Sequence, residues 1–269
     1  MGTSARCRIF FGRRAIARDT RPAIRKLYLF VNLILFDPIE IAAPLPRRDP
    51  RALHLLDVLW RHAGGTFDAG LVNGPRGKGV VVAIGAEALT LAFAWGDPPP
   101  PPDPIMLIVG LPRPQTARDI LRDATALGVT ALHFVLTEKG DPSYAHSTLW
   151  SSGEWRRHLV SGAQQAFTTH LPTVTHGRQL AEALATLPSC GTRLALDNYE
   201  AASRLSQCHL IDDTSVVLAL GAERGWAAPE RELLRAHQFT FAHLGPNVLR
   251  TETACTVAVT LVKAKLGSL

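Results

Sequence analysis

The chain has 269 residues, 46% apolar and 19% charged, a composition that suits a globular protein of one or two domains and excludes a disordered or fibrous one. Its cysteines, Cys7, Cys190, Cys208 and Cys255, show no CxxC spacing and its ten histidines form no HExxH pattern. A zinc site and a disulfide framework therefore have little support, no metal is expected, and a reduced, cytoplasmic compartment is. No apolar run reaches the roughly 20 residues that a membrane helix needs, so no membrane partner is expected either.

The formal charge of +6 is concentrated at one end. Residues 1–30 hold eight bases (Arg6, Arg8, Arg13, Arg14, Arg18, Arg21, Arg25 and Lys26) against Asp19, which leaves a net charge of about −1 on the remainder. Any contact with nucleic acid must then come from a local patch on the body. The basic extension 1–30 reads as a disordered RNA-binding arm, as a transit-like leader, or as the product of a start assigned too far upstream.

Next, 32–36 reads as a strand with a turn at Asp37-Pro38, and 50–62 reads as a helix because Leu53, Leu56, Leu59 and Trp60 recur at helical spacing. Further strands are expected at 66–72, 80–84 and 88–94, with Asn73-Gly74-Pro75-Arg76-Gly77-Lys78-Gly79 as the turn between the first two. These elements make 31–96 a small β-barrel. Trp60, Trp150 and Trp155 read as packing residues. Asp97-Pro98-Pro99-Pro100-Pro101-Pro102-Asp103-Pro104 must be extended, and 97–104 is a stiff linker.

Over 105–269 the pattern alternates: strands at 105–109, 129–136, 193–196, 215–220 and 239–244, helices at 116–127, 154–167, 178–187 and 229–236, and a last helix to about 265. This rhythm predicts a largely parallel sheet covered by helices on both faces. Ligands of such sheets bind beyond the carboxyl ends of strands. Two glycine-bearing loops fall at that edge, Gly221-Ala222-Glu223-Arg224-Gly225-Trp226 and Leu244-Gly245-Pro246-Asn247-Val248-Leu249-Arg250-Thr251-Glu252-Thr253-Ala254. Taken singly, each is a plain strand-to-helix turn. A dinucleotide-binding fold is disfavoured, because Val109-Gly110-Leu111-Pro112-Arg113-Pro114 lacks a GxGxxG turn.

Together, the two loops resemble the C-terminal signature of the methyltransferases that modify N3 of a uridine in small-subunit (16S) ribosomal RNA, within the knotted SPOUT superfamily. His54-Leu55-Leu56-Asp57-Val58-Leu59, Ala124-Thr125-Ala126-Leu127-Gly128-Val129, Thr137-Glu138-Lys139, and Gln164-Gln165-Ala166 through Leu171-Pro172 extend the resemblance over most of 31–269. It implies a PUA-like RNA-binding barrel over 31–96 and an α/β SPOUT domain with a trefoil knot over 105–269, an exception to the rule that chains avoid knots. It also implies S-adenosyl-L-methionine as cofactor, small-subunit ribosomal RNA as substrate, a homodimer, and a place in ribosomal RNA processing during ribosome biogenesis. Val257, Val259, Leu261 and Val262 of the last helix are the expected dimer face.

On the same resemblance, Leu196, Leu220, Gly221, Ala222, Glu223, Arg224, Gly225, Leu244, Gly245, Val248, Leu249, Thr253 and Ala254 would hold the cofactor. Arg250 would hold a uracil oxygen or a phosphate, and Glu252 would be a base or a clamp on Arg250; a bare surface ion pair between those two is the plainer reading. Arg61, Arg76 and Lys78 would meet RNA, although in Arg76 and Lys78 a solvated turn with incidental charges explains the residues as well. Departures from the family pattern stand at Ala222 (usually proline), Arg224 (glycine), Asp123 (lysine), Ala126 (glutamate), Gln164 (glutamate), Thr168 (arginine) and Trp60 (arginine). They leave open an alternative: an RNA-binding or ribosome-assembly protein of the same fold with weak or lost methyltransferase activity.

Overall fold

A computed structural model describes residues 33–211 and 215–269; the basic stretch 1–30 lies outside them. All the described residues belong to one compact unit, Asn32–Leu269.

The first sheet is built from β1 (Ile34–Phe36), β2 (Leu45–Pro46), β3 (Thr66–Leu71), β4 (Arg76–Ile84) and β5 (Ala88–Trp95). It curls in the order β1-β3-β4-β5-β2, antiparallel except for the parallel pair β1–β3. Alternate residues of β1 serve different cores. Ile34 and Phe36 join Phe67, Val81 and Leu89 inside this sheet, whereas Leu33 and Leu35 enter the core of the larger sheet. A period-two strand thus fastens the two layers to each other.

Between β2 and β3 lies α1 (Pro50–Leu53), capped by Asp49, which continues as one π-helical stretch, His54–Val58. The helix therefore stops short of the expected 62. Trp60 follows with φ at +49° and is 74% exposed, its indole Nε1 donating to the Asp57 carbonyl at 2.8 Å. It is not a packing residue. The turn after β3 is also shorter than expected, ending at Pro75, so that Arg76 and Lys78 lie in β4, Arg76 opposite Gly70 of β3 and Lys78 between Asp68 of β3 and Ala94 of β5.

The second sheet comprises β6 (Ile105–Gly110), β7 (Ala131–Leu136), β8 (Thr173–Gln179), β9 (Thr192–Leu196), β10 (Ser203–Arg204), β11 (Val216–Leu220) and β12 (Thr240–His243). All neighbours are parallel, in the order β10-β12-β9-β11-β6-β7-β8. Its helices are α2 (Pro114–Ala126), α3 (Thr148–Ser151), α4 (Glu154–Gln165), α5 (Leu180–Ala185), α6 (Ala228–Ala236) and α7 (Thr251–Leu266). Leu107, Val109, Leu218 and Leu220 face a core shared with α2, α4 and α7, while Ile108, Val217 and Ala219 face one shared with α5 and α6. Strands apolar on both faces are what a doubly covered parallel sheet requires.

β8 escaped the sequence pattern, which gave no strand there and assigned its last two residues, Arg178 and Gln179, to a helix. Thr173-Val174-Thr175-His176-Gly177-Arg178-Gln179 is a polar edge strand, interrupted by a bulge at Gly177 with φ at +72°. Trp150 is a packing residue as expected: 5% exposed, it lies against Phe134 and stacks on His176 at 4.5 Å. Val259 and Val262 are fully buried in the core of their own chain, so the expected dimer face keeps only Val257 and Leu261, both half-buried. Among the described residues no helix is long and apolar enough to cross a membrane.

Candidate active-site cleft

The parallel strands deliver both glycine loops to the same edge. β11 ends at Leu220 and β12 at His243, and the loops that follow meet over the end of β9. Between them lies a cleft of about 350 Å³, lined by Leu196, Leu220, Gly221, Ala222, Glu223, Arg224, Gly225, Leu244, Val248, Leu249 and Ala254 of the expected set. Gly245 and Thr253 do not line it. Gly245 supports the second loop from behind, its amide donating to His243 Nδ1 at 3.1 Å, and Thr253 is exposed on the first turn of α7.

The first loop is held by close backbone packing and by three outside anchors. A Cβ on Gly221 would stand 2.7 Å from the backbone of Gly225, so this turn closes only around glycine. Gly225 adopts φ +67°, the left-handed region where glycine carries no Cβ penalty. Lys139 donates its ammonium to the Trp226 carbonyl at 2.8 Å and to the Arg224 carbonyl at 3.4 Å. Glu223 accepts the Arg113 amide at 3.0 Å, with the guanidinium at 3.4 Å. Glu230, at the start of α6, accepts the amides of Ala227 and Glu138 at 2.7 and 2.8 Å. Trp226 is fully buried beneath, in the core shared with α5 and α6.

Several lining residues were not among the expected cofactor contacts: Pro246, Asn247 and Thr251 lie within the second loop, whereas Asp197, Asn198 and Tyr199 lay outside both loops. Asp197 is the most consequential. Its carboxylate is 2% exposed, and Oδ2 accepts Arg231 Nε at 2.7 Å while Oδ1 accepts the amides of Tyr199 and Glu200 at 2.7 and 2.8 Å. A buried carboxylate so satisfied fixes the floor of the cleft between β9 and α6. The available signal was an Asp directly after the apolar strand Arg193-Leu194-Ala195-Leu196, at the carboxyl edge where such sheets bind ligands.

Arg250 is the N-cap residue of α7 and is exposed between Leu249 and Thr251, both of the cleft wall. Among the described residues its guanidinium has no partner, and it forms no ion pair with half-buried Glu252. Burial, with the Glu252 charge beside it, pushes the Cys255 thiol far above the usual range, so it stays protonated and is no nucleophile.

The expected RNA contacts are scattered. Arg76 donates to the Phe167 carbonyl at 2.9 Å and lies over the Phe167 ring, and Lys78 pairs with Asp68 at 2.6 Å. Arg61 follows Trp60, with its Nε buried and unpartnered among the described residues. No group of three or more His, Cys, Asp or Glu among the described residues is arranged to hold a metal.

Comparison with known proteins matches residues 99–263 to the model of the RNA methyltransferase domain. The chain is 34% identical over 247 residues to ribosomal RNA small subunit methyltransferase E of Treponema pallidum, covering 87% of this chain and 91% of that one. The chain belongs to this RNA methyltransferase family. It is also 26% identical over 246 residues to ribosomal RNA small subunit methyltransferase E 1 of Borreliella burgdorferi, covering 88% of this chain and 99% of the relative. Its fold resembles the crystal structure of ribosomal RNA small subunit methyltransferase E from Neisseria gonorrhoeae bound to S-adenosyl methionine, with a TM-score of 0.72 at 23% identity, covering 87% of this chain and 97% of that one.

Proposed function

We propose that this protein transfers a methyl group from S-adenosyl-L-methionine to N3 of a uridine in small-subunit (16S) ribosomal RNA. The observation that carries the reading is the convergence of two glycine loops on one cleft at the carboxyl edge of the parallel sheet, in a chain of this family. The cleft suits the cofactor: Leu196, Leu220, Leu244 and Leu249 offer an apolar slot, and loop amides and carbonyls around Gly221 and Gly225 offer hydrogen bonds that no side chain obstructs. The cofactor supplies an electrophilic methyl group on a sulfonium sulfur. Of the departures in this loop, Ala222 is buried and Arg224 is exposed, and both lie in the cleft wall.

The protein must then orient N3 and accommodate the loss of its proton. Arg250, exposed between the lining residues Leu249 and Thr251 and unpaired among the described residues, holds a uracil oxygen or a neighbouring phosphate and stabilises negative charge developing on the imide. Glu252, in the first turn of α7 and not paired with Arg250 among the described residues, is the residue we assign to accept the N3 proton or to pass it to water. Alignment within the cleft supplies much of the remaining rate.

The finer architecture belongs to the same proposal: a PUA-like barrel over 31–96, a linker over 97–104, and a SPOUT domain with a trefoil knot over 105–269. The curled five-stranded sheet supports the first. The placement of β9 between β12 and β11, out of sequence order, supports the knot. A homodimer that works in the cytoplasm completes it. Tyr199 and Val248, 80% and 83% exposed at the rim of the cleft, support a covering partner, and sedimentation showing only monomer at micromolar concentration would remove that part.

The test is transfer of labelled methyl from S-adenosyl-L-methionine to small-subunit RNA lacking the modification. Uptake of label is expected. Cofactor binding by calorimetry without transfer would favour the non-catalytic alternative instead.

A further inference from the structure

Trp60 combines features that the cofactor cleft does not explain. It is a large apolar residue, 74% exposed, in the left-handed backbone region at φ +49°. Bulky side chains rarely adopt that region, and strain of this kind concentrates at functional sites. It directly follows the π-helical stretch His54–Val58 and the residue Leu59, and single π turns recur at functional sites. The bond from its indole Nε1 to the Asp57 carbonyl, 2.8 Å, ties the ring to the helix end while leaving it in solvent.

The surrounding charge selects the partner. The body beyond residue 30 is near neutral overall, yet Arg47, Arg48 and Arg61 flank this helix and have no carboxylate partner among the described residues. Arg51, by contrast, is neutralised by Glu40 and Asp49. Arg61 and exposed His62 follow the indole directly. Arg48, exposed, precedes the helical segment 50–58 that Trp60 follows, so cations stand at both ends of that segment. Asp57 is the opposing charge.

We propose that Trp60 is a stacking platform for an unpaired nucleobase of the RNA substrate, with Arg61 and Arg48 meeting the flanking phosphates. An aromatic face with cations on either side is how single-stranded nucleic acid is held without sequence readout. The proposal rests on the reading of the chain as an RNA methyltransferase, and adds a base contact in the connection between the helical segment and β3, outside the residues that line the cleft.

The experiment compares full-length wild type with Trp60→Ala, Trp60→Phe and Trp60→Gly. It measures fluorescence-anisotropy affinity for a short single-stranded RNA, cofactor affinity by calorimetry, and melting temperature. Trp60→Ala and Trp60→Gly are expected to weaken RNA binding roughly 5- to 100-fold, the range of losing one base–aromatic stack. Trp60→Phe should retain most of the affinity, and cofactor affinity should not move. Trp60→Gly relieves the backbone strain, so its folding is safeguarded while the ring is absent. Wild-type RNA affinity in Trp60→Ala and Trp60→Gly would overturn the proposal, and with methyl transfer intact in wild type it would do so while leaving the enzymatic reading standing. A wild type that neither binds nor methylates RNA would remove both.

Discussion

Gly221 and Gly225 stand in one loop for different reasons, and alanine at each separates those reasons. On Gly221 a Cβ would meet the Gly225 carbonyl carbon and Cα at 2.7 Å and the Trp226 amide at 2.9 Å, all backbone atoms. Restoring ordinary carbon–carbon separation requires the turn to open by roughly 1 Å. Lys139 and Glu223 hold that turn against opening. Overpacking of this kind costs about 1–3 kcal/mol, and where the bound ligand demands the closed turn, the cost falls on affinity as roughly a 5- to 100-fold rise in Kd. At Gly225 there is nothing within 4 Å of the added Cβ, and the difficulty is only φ +67°. That substitution costs about 1–2 kcal/mol, taken mainly from the melting temperature while the loop keeps its shape. Isothermal titration of S-adenosyl-L-methionine into each variant, beside a thermal melt, distinguishes them. If Gly221→Ala binds cofactor as tightly as wild type and folds normally, the first loop is not the cofactor's cradle.

Other substitutions follow from the anchors around the cleft. Arg231→Met leaves the Asp197 carboxylate buried without its cation, at about 3–5 kcal/mol; the melting temperature should fall by roughly 6–20 °C, and Asp197→Leu added to it should recover part of the loss. Lys139→Met removes a charged donor from two loop carbonyls, worth about 1.5–3 kcal/mol for such a bond. Cofactor affinity should fall roughly 10- to 150-fold, with Lys139→Arg recovering some of it; an unchanged affinity would show that the loop holds itself. Burial lowers the pKa values of His133, His170 and His176 below their ordinary value, for His133 with the Arg178 charge adding to it. The unfolded chain therefore binds protons first, and stability is complete above about pH 6.5 and lost as pH falls below it. The urea midpoint should be lower at pH 5.5 than at pH 7.5, and a flat profile between them would refute the assignment.

The α/β half was legible because its central strands are apolar on both faces. Val216-Val217-Leu218-Ala219-Leu220 is buried at every position, and the loop after it was readable as an edge site. β8 was not legible, since an edge strand shows water a polar face and Gly177 breaks its period. Asp197 escaped because its role depends on Arg231, 34 residues away, a pairing that no local pattern encodes. Trp60 sat at helical spacing with Leu53, Leu56 and Leu59, and period alone reads that as packing. The π-helical stretch and the left-handed residue after it turn the ring out to solvent. Half of the expected valine stripe on α7 proved to be intramolecular core for a similar reason, because a helix that is apolar on several sides conceals which face its own sheet takes.

The most direct measurement incubates the purified protein with unmodified small-subunit RNA and isotope-labelled S-adenosyl-L-methionine, then identifies the nucleosides by mass spectrometry. The expected product is labelled N3-methyluridine at a single site, lost in Arg250→Ala. Label on another nucleoside, or no label in a protein that binds the cofactor, would contradict the account.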